Sequence, residues 1–523
     1  MFCILPRSHP PFHQQLTMIS TILFLILVFI FILSLIKHLT NQLEAEKRLP
    51  PGPRTLPFIG NLHKLIGDDL PHRSLHHLSA QHGPLMFLKL GSIPTLVVSS
   101  AEMAREIFKN YDIVFSGRPV LYAANRISYN GSGMSFAPYG DYWREIRKIV
   151  TLELLSAKRV QSFQAVRFEE VKFMIHSIAS SLGPVNLSEL TLSRASNIVC
   201  RVAFGLRNQG GADNNNNGSE FYEIFRETQE LLGGFCIADF FPGLGRINKF
   251  NGLERRLEKN FRELDNFYDK VIKEHNNKEY GRLGGVAEHE DLVDVLLQVQ
   301  RDPNQAIVLS DDRIKGILTD IFLAGTDTAS ATIIWTLSEL IRNPEIMKRA
   351  KEEVREVAKN KEMVEESDLS SLVYLKLVVK EALRLHPPAP LLLPRETLET
   401  CTIKGYEIPA KTRVFVNAKS IAMDPSCWEN PNEFLPERFL DSAIDFRGQH
   451  FEMLPFGAGR RGCPGVNFGM LLVELALANL LFHFDWTLPR GLKVEDMDMD
   501  EAFGITMHKK TPLWMKATPI IHV

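Results

Sequence analysis

The chain has 523 residues, with 60 Lys+Arg against 62 Asp+Glu and a formal net charge of −2. That balance excludes the strongly basic surface a nucleic-acid binder needs, so no nucleic-acid partner is expected. Apolar residues at 45% and charged residues at 23% exclude a disordered, collagen-like or coiled-coil chain, and the length fits about three average domains or one large core. The six cysteines, Cys3, Cys200, Cys236, Cys401, Cys427 and Cys463, are far apart and form no CxxC pair. A disulfide scaffold and the common zinc ribbons are excluded, which suits a reducing compartment.

Residues 18–36, MISTILFLILVFIFILSLI, carry no charge. At 1.5 Å per residue such a run reaches about 28 Å, enough for a bilayer core. It is longer than the apolar part of a cleaved signal peptide, so it reads as a retained anchor over 18–37 after a leader at 1–17. Lys37, Lys47 and Arg48 follow it and only Arg7 precedes it, which favours a cytoplasmic body. Asn130, Asn186 and Asn217 head Asn-x-Ser triplets, chance matches if the body is cytoplasmic.

The segment RLPPGPRTLP, inside a hinge at 38–57, cannot be helical and reads as a stiff spacer. Strands are expected at 85–90 and 95–99. Residues 139–301 are mostly helical by their apolar spacing, with a charged amphipathic helix at 254–275. The polar run GGADNNNNG at 210–218 reads as a surface loop. A helix at 310–342 is unusually long; Ser310 and Asp311 supply cap chemistry and Pro344 stops it. Its centre is apolar all round, so it should run through the core. Helices at 344–359, 372–385 and 465–484, with short strands in 391–417, complete one body over 58–523. The fold class is mainly α with small β-sheets.

The residues 455–465, PFGAGRRGCPG, combine glycines that let the backbone turn tightly with a cysteine before a helix. Inward amide donors, a helix N-terminus and the charges of Arg460 and Arg461 favour a thiolate at Cys463, as an iron ligand requires. An ordinary buried cysteine after a glycine turn is the plain alternative. Phe456, Gly459, Arg461, Cys463 and Gly465 together fit FxxGxRxCxG, which resembles the haem-binding signature of cytochrome P450 enzymes. Glu381 and Arg384 in KEALRLHPP match that family's ExxR. At i and i+3 they share one helix face and can pair, with Arg438 of PERF as the third group. The likeness spans about residues 50–520, and the proline hinge and anchor are similar to those of microsomal members.

The resemblance implies the cytochrome P450 fold, a haem b whose iron is held by Cys463, and a monooxygenase that uses O2. Trp143 and Arg147, at i and i+4, would hold a haem propionate, with Arg395 a further contact and Phe456 and Arg461 part of the cofactor site. The run Ala324-Gly325-Thr326-Asp327-Thr328 resembles the oxygen-binding AGxDT; Thr328 would hydrogen-bond the oxygen being activated and Asp327 would relay protons. Taken alone, the same run is a helix defect satisfied by back-bonding to residue i−4. Electrons would come from NADPH through a separate NADPH–cytochrome P450 reductase, steered by Arg460 and neighbouring cations, on the endoplasmic reticulum membrane with the catalytic domain facing the cytosol.

The pocket would be lined by 115–134, 390–395, 321–323 and 503–506, with Phe322, Leu391, Leu392 and Phe503 as candidates, which suits a small lipophilic substrate. LLLPRE and DMDEAFGITMHKKTPL resemble plant microsomal members that oxidise terpenoids, with alkaloid oxidisers close behind. Readings from other classes are a reductase-independent hydroperoxide isomerase and a non-catalytic, membrane-anchored haem protein.

Overall fold

The structure is a computed structural model and describes residues 48–67, 69–205, 217–281 and 290–520. The leader at 1–17, the anchor at 18–37 and most of the polar run at 210–218 lie outside the described residues. Strand β1, Leu85–Leu90, buries Leu85, Met86, Leu88 and Leu90 and leaves Lys89 outside. It pairs antiparallel with β2, Ile93–Val98, from Leu85↔Val98 to Leu90↔Ile93. The proline stretch is docked on β1 over part of its length. Phe87 N–H donates to Pro51 O at 2.9 Å, and the buried Asn61 donates to the carbonyls of Pro53 and Arg54, both at 3.1 Å. Prolines have no N–H to give, so their segment joins through its carbonyls.

Helices dominate the middle of the chain. They include α1 (Asp141–Ile149), α2 (Gln164–Ala179), α3 (Leu187–Phe204), α4 (Leu253–Gly281) and α5 (Leu292–Arg301). Asn186, one of the Asn-x-Ser residues, caps α3 by accepting from Glu189 N–H at 3.3 Å. Helix α6, Asp311–Arg342, is capped by Ser310, whose side chain accepts from Arg313 N–H, and carries Asp311 and Asp312 at its positive end. Its 32 residues run about 48 Å at 1.5 Å each. Ile314, Ile317, Leu318, Phe322, Ile333, Trp335, Leu337 and Leu340 are all buried, so apolar residues surround the axis and α3 and α9 (Val466–His483) pack against it. Between them come α7 (Pro344–Val357) and α8 (Val373–Leu385). Helices α6 and α9 are long and apolar enough to cross a membrane, yet both are mostly buried within the protein. Helices α6, α7, α8 and α9 differ from the sequence reading by one or two residues at their ends, where fraying and caps decide, whereas α4 runs six residues past the expected end at 275.

Arg395–Glu396 forms β3 and Arg413–Val416 forms β4; the sheet order is β1-β2-β4-β3, with β4 parallel to β2 and antiparallel to β3. After α9, β5 (Phe484–Thr487) pairs with β8 (Trp514–Pro519), and β6 (Glu501–Ala502) pairs with β7 (His508–Lys509). Chain contacts define two units, residues 1–50 with 401–408, and residues 51–400 with 409–523. In the small unit Cys401–Ile403 and Tyr406–Ile408 form a hairpin, and Arg48 pairs with Glu407 at 3.5 Å. Every residue of the candidate site described next belongs to the large unit.

Candidate active site

The cysteine loop is shaped by its glycines. Gly457 and Gly459 adopt φ of 66° and 67°, a left-handed conformation that disfavours side chains. A Cβ on Gly459 would collide with the Asp112 carboxylate and the Phe108 carbonyl. Asp112 instead accepts from Arg460 N–H at 3.2 Å and pairs with the Arg460 side chain at 3.1 Å. Cys463 N–H donates to Phe456 O at 2.9 Å, two residues before α9 is capped by Gly465. The Cys463 residue is accessible, yet surrounding protein desolvates its thiol. Burial raises that thiol above its ordinary pKa, against the Gly465 N–H and the charge of Arg147. The expected nest of donors is therefore thinner at sulfur than the glycine count suggested, and does not outweigh desolvation.

Four guanidiniums gather beside this loop. Burial pushes Arg461 down to about 9, with repulsion from Arg395 and Arg147 adding to it. Burial likewise lowers Arg395 to about 10, and lowers Arg147 and, more strongly, Arg118, which also faces Arg461 and Arg395. Two carboxylates stand nearby. Asp112 lies 3.7 Å from Arg395, and Asp320, pushed up by burial to about 6, accepts from Ser135 N–H at 2.9 Å. Arg461 donates to the carbonyls of Ser116, Met134 and Ala137, and its guanidinium lies 4.3 Å from the Trp143 ring centre. The Trp143 indole N–H donates to Met134 O at 3.0 Å, and Arg147 reaches the Met134 sulfur at 3.7 Å. Trp143, Arg147, Arg395 and Arg461 are thus one cluster, as the motif reading grouped them. Asp112 and Arg118 were missed; both join through contacts hundreds of residues apart in sequence, which no local spacing signals.

Glu381 and Arg384 meet on α8 with no exposure at all. Arg384 donates to both Glu381 oxygens at 2.8 Å, and Arg438 Nε donates to Glu381 Oε1 at 3.0 Å. Arg384 also reaches the carbonyls of Ala422, Pro431 and Glu433.

Helix α6 opens at its middle. Ala324 is exposed although the helix is otherwise in the core, and Gly325 is tight against α3, where a Cβ would lie 3.1 Å from Val199 Cγ2. The Thr328 hydroxyl donates to Ala324 O at 2.6 Å on this open side, and the buried Thr326 hydroxyl has no partner. Asp327 is buried and accepts from His508 at 2.8 Å, a residue no motif singled out. Phe322 points elsewhere: it is 1% exposed and packs against Phe204 and Phe225. Leu391 and Leu392 are half-buried, and Leu392 lies beside Gly457 of the cysteine loop. Phe503 is 61% exposed.

A flat apolar group carrying two negative charges fits these residues. It would neutralise a cluster with more guanidiniums than carboxylates, cover the open stretch at Ala324 and Thr328, and offer iron to the Cys463 sulfur. Haem has that chemistry. The family profile described as Cytochrome P450 matches residues 50–515. Cytochrome P450 71A9 of Glycine max is 71% identical over 96% of this chain and 99% of its own length. Strychnine-11-hydroxylase of Strychnos nux-vomica is 55% identical over 96% and 97%. A zebrafish cytochrome P450 structure with progesterone superposes with a TM-score of 0.75 at 25% identity, covering 86% of this chain and all of that one. The chain belongs to the cytochrome P450 family and is a haem monooxygenase of the kind represented by these plant relatives.

Proposed function

We propose that this enzyme hydroxylates a lipophilic plant specialised metabolite, a terpenoid on the reading of its LLLPRE and C-terminal segments, with electrons passed from NADPH by NADPH–cytochrome P450 reductase. Residues 18–37 would tether it to the endoplasmic reticulum membrane with the catalytic unit in the cytosol. Haem, when bound, supplies O2 activation and oxygen insertion into a C–H bond. Cys463 would hold the iron, and Arg147, Arg395 and Arg461, with Trp143, would hold the propionates. Leu391 and Leu392 exclude water and present an aliphatic wall to the substrate. Thr328 keeps a hydroxyl at the open side of α6, and Asp327 holds a proton-exchanging carboxylate one residue away. The observation that carries the reading is the excess of buried guanidiniums beside an accessible cysteine.

An alkaloid is the second reading, supported by the 55% identity to a strychnine-11-hydroxylase. Coexpression with the reductase and feeding of a terpene and alkaloid panel tests both, read by mass spectrometry for the gain of one oxygen atom. Oxidised terpenes support the first reading and oxidised alkaloids the second. NADPH consumption with no oxygenated product from any member would count against both.

A further inference from the structure

Asp327 is almost closed off from solvent and bonds to a histidine that is not. Its side chain is 7% exposed, and His508 Nε2 lies 2.8 Å from its Oδ1. The two residues are 181 positions apart, so the pair exists only because the fold carries β7 to the middle of α6. The segment around His508 is fixed on several sides. The Trp335 indole N–H of α6 donates to Met507 O at 2.9 Å, Lys510 N–H donates to Asp500 O at 2.8 Å, and Leu513 N–H donates to the Ser188 hydroxyl at 2.9 Å.

The other edge of the imidazole is open. The His508 side chain is 36% exposed and lines a surface groove of about 320 Å³ with Asn186, Ser188, Glu189, Ser330 and Lys509. His508 touches both this groove and the buried acid. The charged groups around it are few. Asp327 faces it from α6, Glu189 of α3 shares the groove, and Lys509 is its neighbour on β7, itself near Asp498, Asp500 and the α6 residues Glu339 and Arg342. Glu501 on β6 is already engaged by His72 and Arg73. Burial alone would lower the His508 pKa; the hydrogen bond and charge of Asp327 outweigh it and raise the group above its ordinary value.

We propose that His508 is the proton-entry residue for Asp327, a positioning and shuttle role that rests on the monooxygenase reading above. O2 reduction takes up protons, and a buried acid must be recharged after each delivery. The imidazolium gives its Nε2 proton to Asp327 Oδ1, leaving a neutral imidazole and a neutral carboxylic acid. Asp327 passes that proton inward and returns to carboxylate. The partly exposed ring turns its Nε2 edge to the groove, takes a proton from water there and swings back. Charge and protons balance over the cycle, and no further reactant is needed.

The test uses the full-length, haem-loaded protein with its reductase, and the variants His508→Gln and Asp327→Asn. Gln keeps a donor near Asp327 and cannot carry a proton. Histidine NMR in the resting protein should place His508 above an ordinary histidine value of about 6.5, and Asp327→Asn should bring it down. O2 consumption should fall about tenfold or more in His508→Gln, the scale of a lost acid–base group. Wild-type turnover should decline on the alkaline side as His508 loses its proton, and the His508→Gln profile should be flat there. A His508→Gln enzyme with wild-type rate and wild-type pH profile would overturn the proposal, as would a His508 titration indifferent to Asp327→Asn. Failure of the underlying reading looks different: the wild type itself would then consume no O2 beyond the reductase alone.

Discussion

Two groups of buried arginines in this protein do opposite jobs. On α8, Arg384 and Arg438 close on Glu381, and the remaining Arg384 donors reach backbone carbonyls. Beside the cysteine loop, Arg118, Arg147, Arg395 and Arg461 repel one another, and burial lowers all four. The first set is complete within the chain. The second sets two nearby carboxylates, Asp112 and Asp320, against four guanidiniums, and a dianionic ligand would supply the balance. Saturation, not the presence of arginine, separates a structural ion network from a cofactor socket.

Breaking the saturated set should have the largest effect on stability. Glu381→Ala leaves two buried guanidiniums facing no carboxylate and should cost about 3–5 kcal/mol. The denaturant midpoint, compared with the wild type, reads this, and a loss below about 1 kcal/mol would erase the distinction between the two sets. The unsaturated set should respond in the other sense. Arg147→Gln removes an uncompensated charge, so the haem-free protein should change by less than about 1 kcal/mol. Haem affinity should drop about tenfold, equivalent to about 1.4 kcal/mol. Spectroscopic titration with haem measures that; unchanged affinity together with a large stability loss would make Arg147 structural.

A pH-dependent effect separates Glu501 from both sets. Its carboxylate meets His72 at 2.9 Å and Arg73 at 2.8 Å. Burial would raise its pKa, but the His72 bond and the charges of Lys419, His72 and Arg73 hold it down to about 2. A depressed carboxyl stabilises the fold above its unfolded pKa, and that contribution disappears as pH falls from about 4.5 through about 2. Unfolding followed over that window should show a steeper acid loss in the wild type than in Glu501→Gln; identical slopes would remove Glu501 from the account.

Much of this was readable from the chain because it is local. The N-cap at Ser310, the stop at Pro344 and the i, i+3 spacing of Glu381 and Arg384 are short-range signals, and the helices start and end within a residue or two of where those signals put them. Arg438 was reachable because its motif lies in a recognisable order after ExxR. Asp112, Arg118 and His508 were not reachable. Asp112 meets Arg460 across 348 positions, Arg118 meets Leu393 O across 275, and His508 meets Asp327 across 181. No period or cap encodes such meetings; only the packing of β7 on α6, and of the 112–118 segment on the cysteine loop, creates them. The docking of the proline stretch was likewise not local, because a segment without N–H donors still carries carbonyls that Phe87 and Asn61 use.

Cys463 would be the sulfur ligand of a haem held by the unsaturated arginine cluster. The reduced, carbon-monoxide difference spectrum of the haem-loaded protein tests it most directly. The wild type should show the red-shifted band of a thiolate-ligated haem, and Cys463→Ala should lose it. A folded, haem-loaded wild type without that band, or a Cys463→Ala variant that retains it, would contradict the assignment.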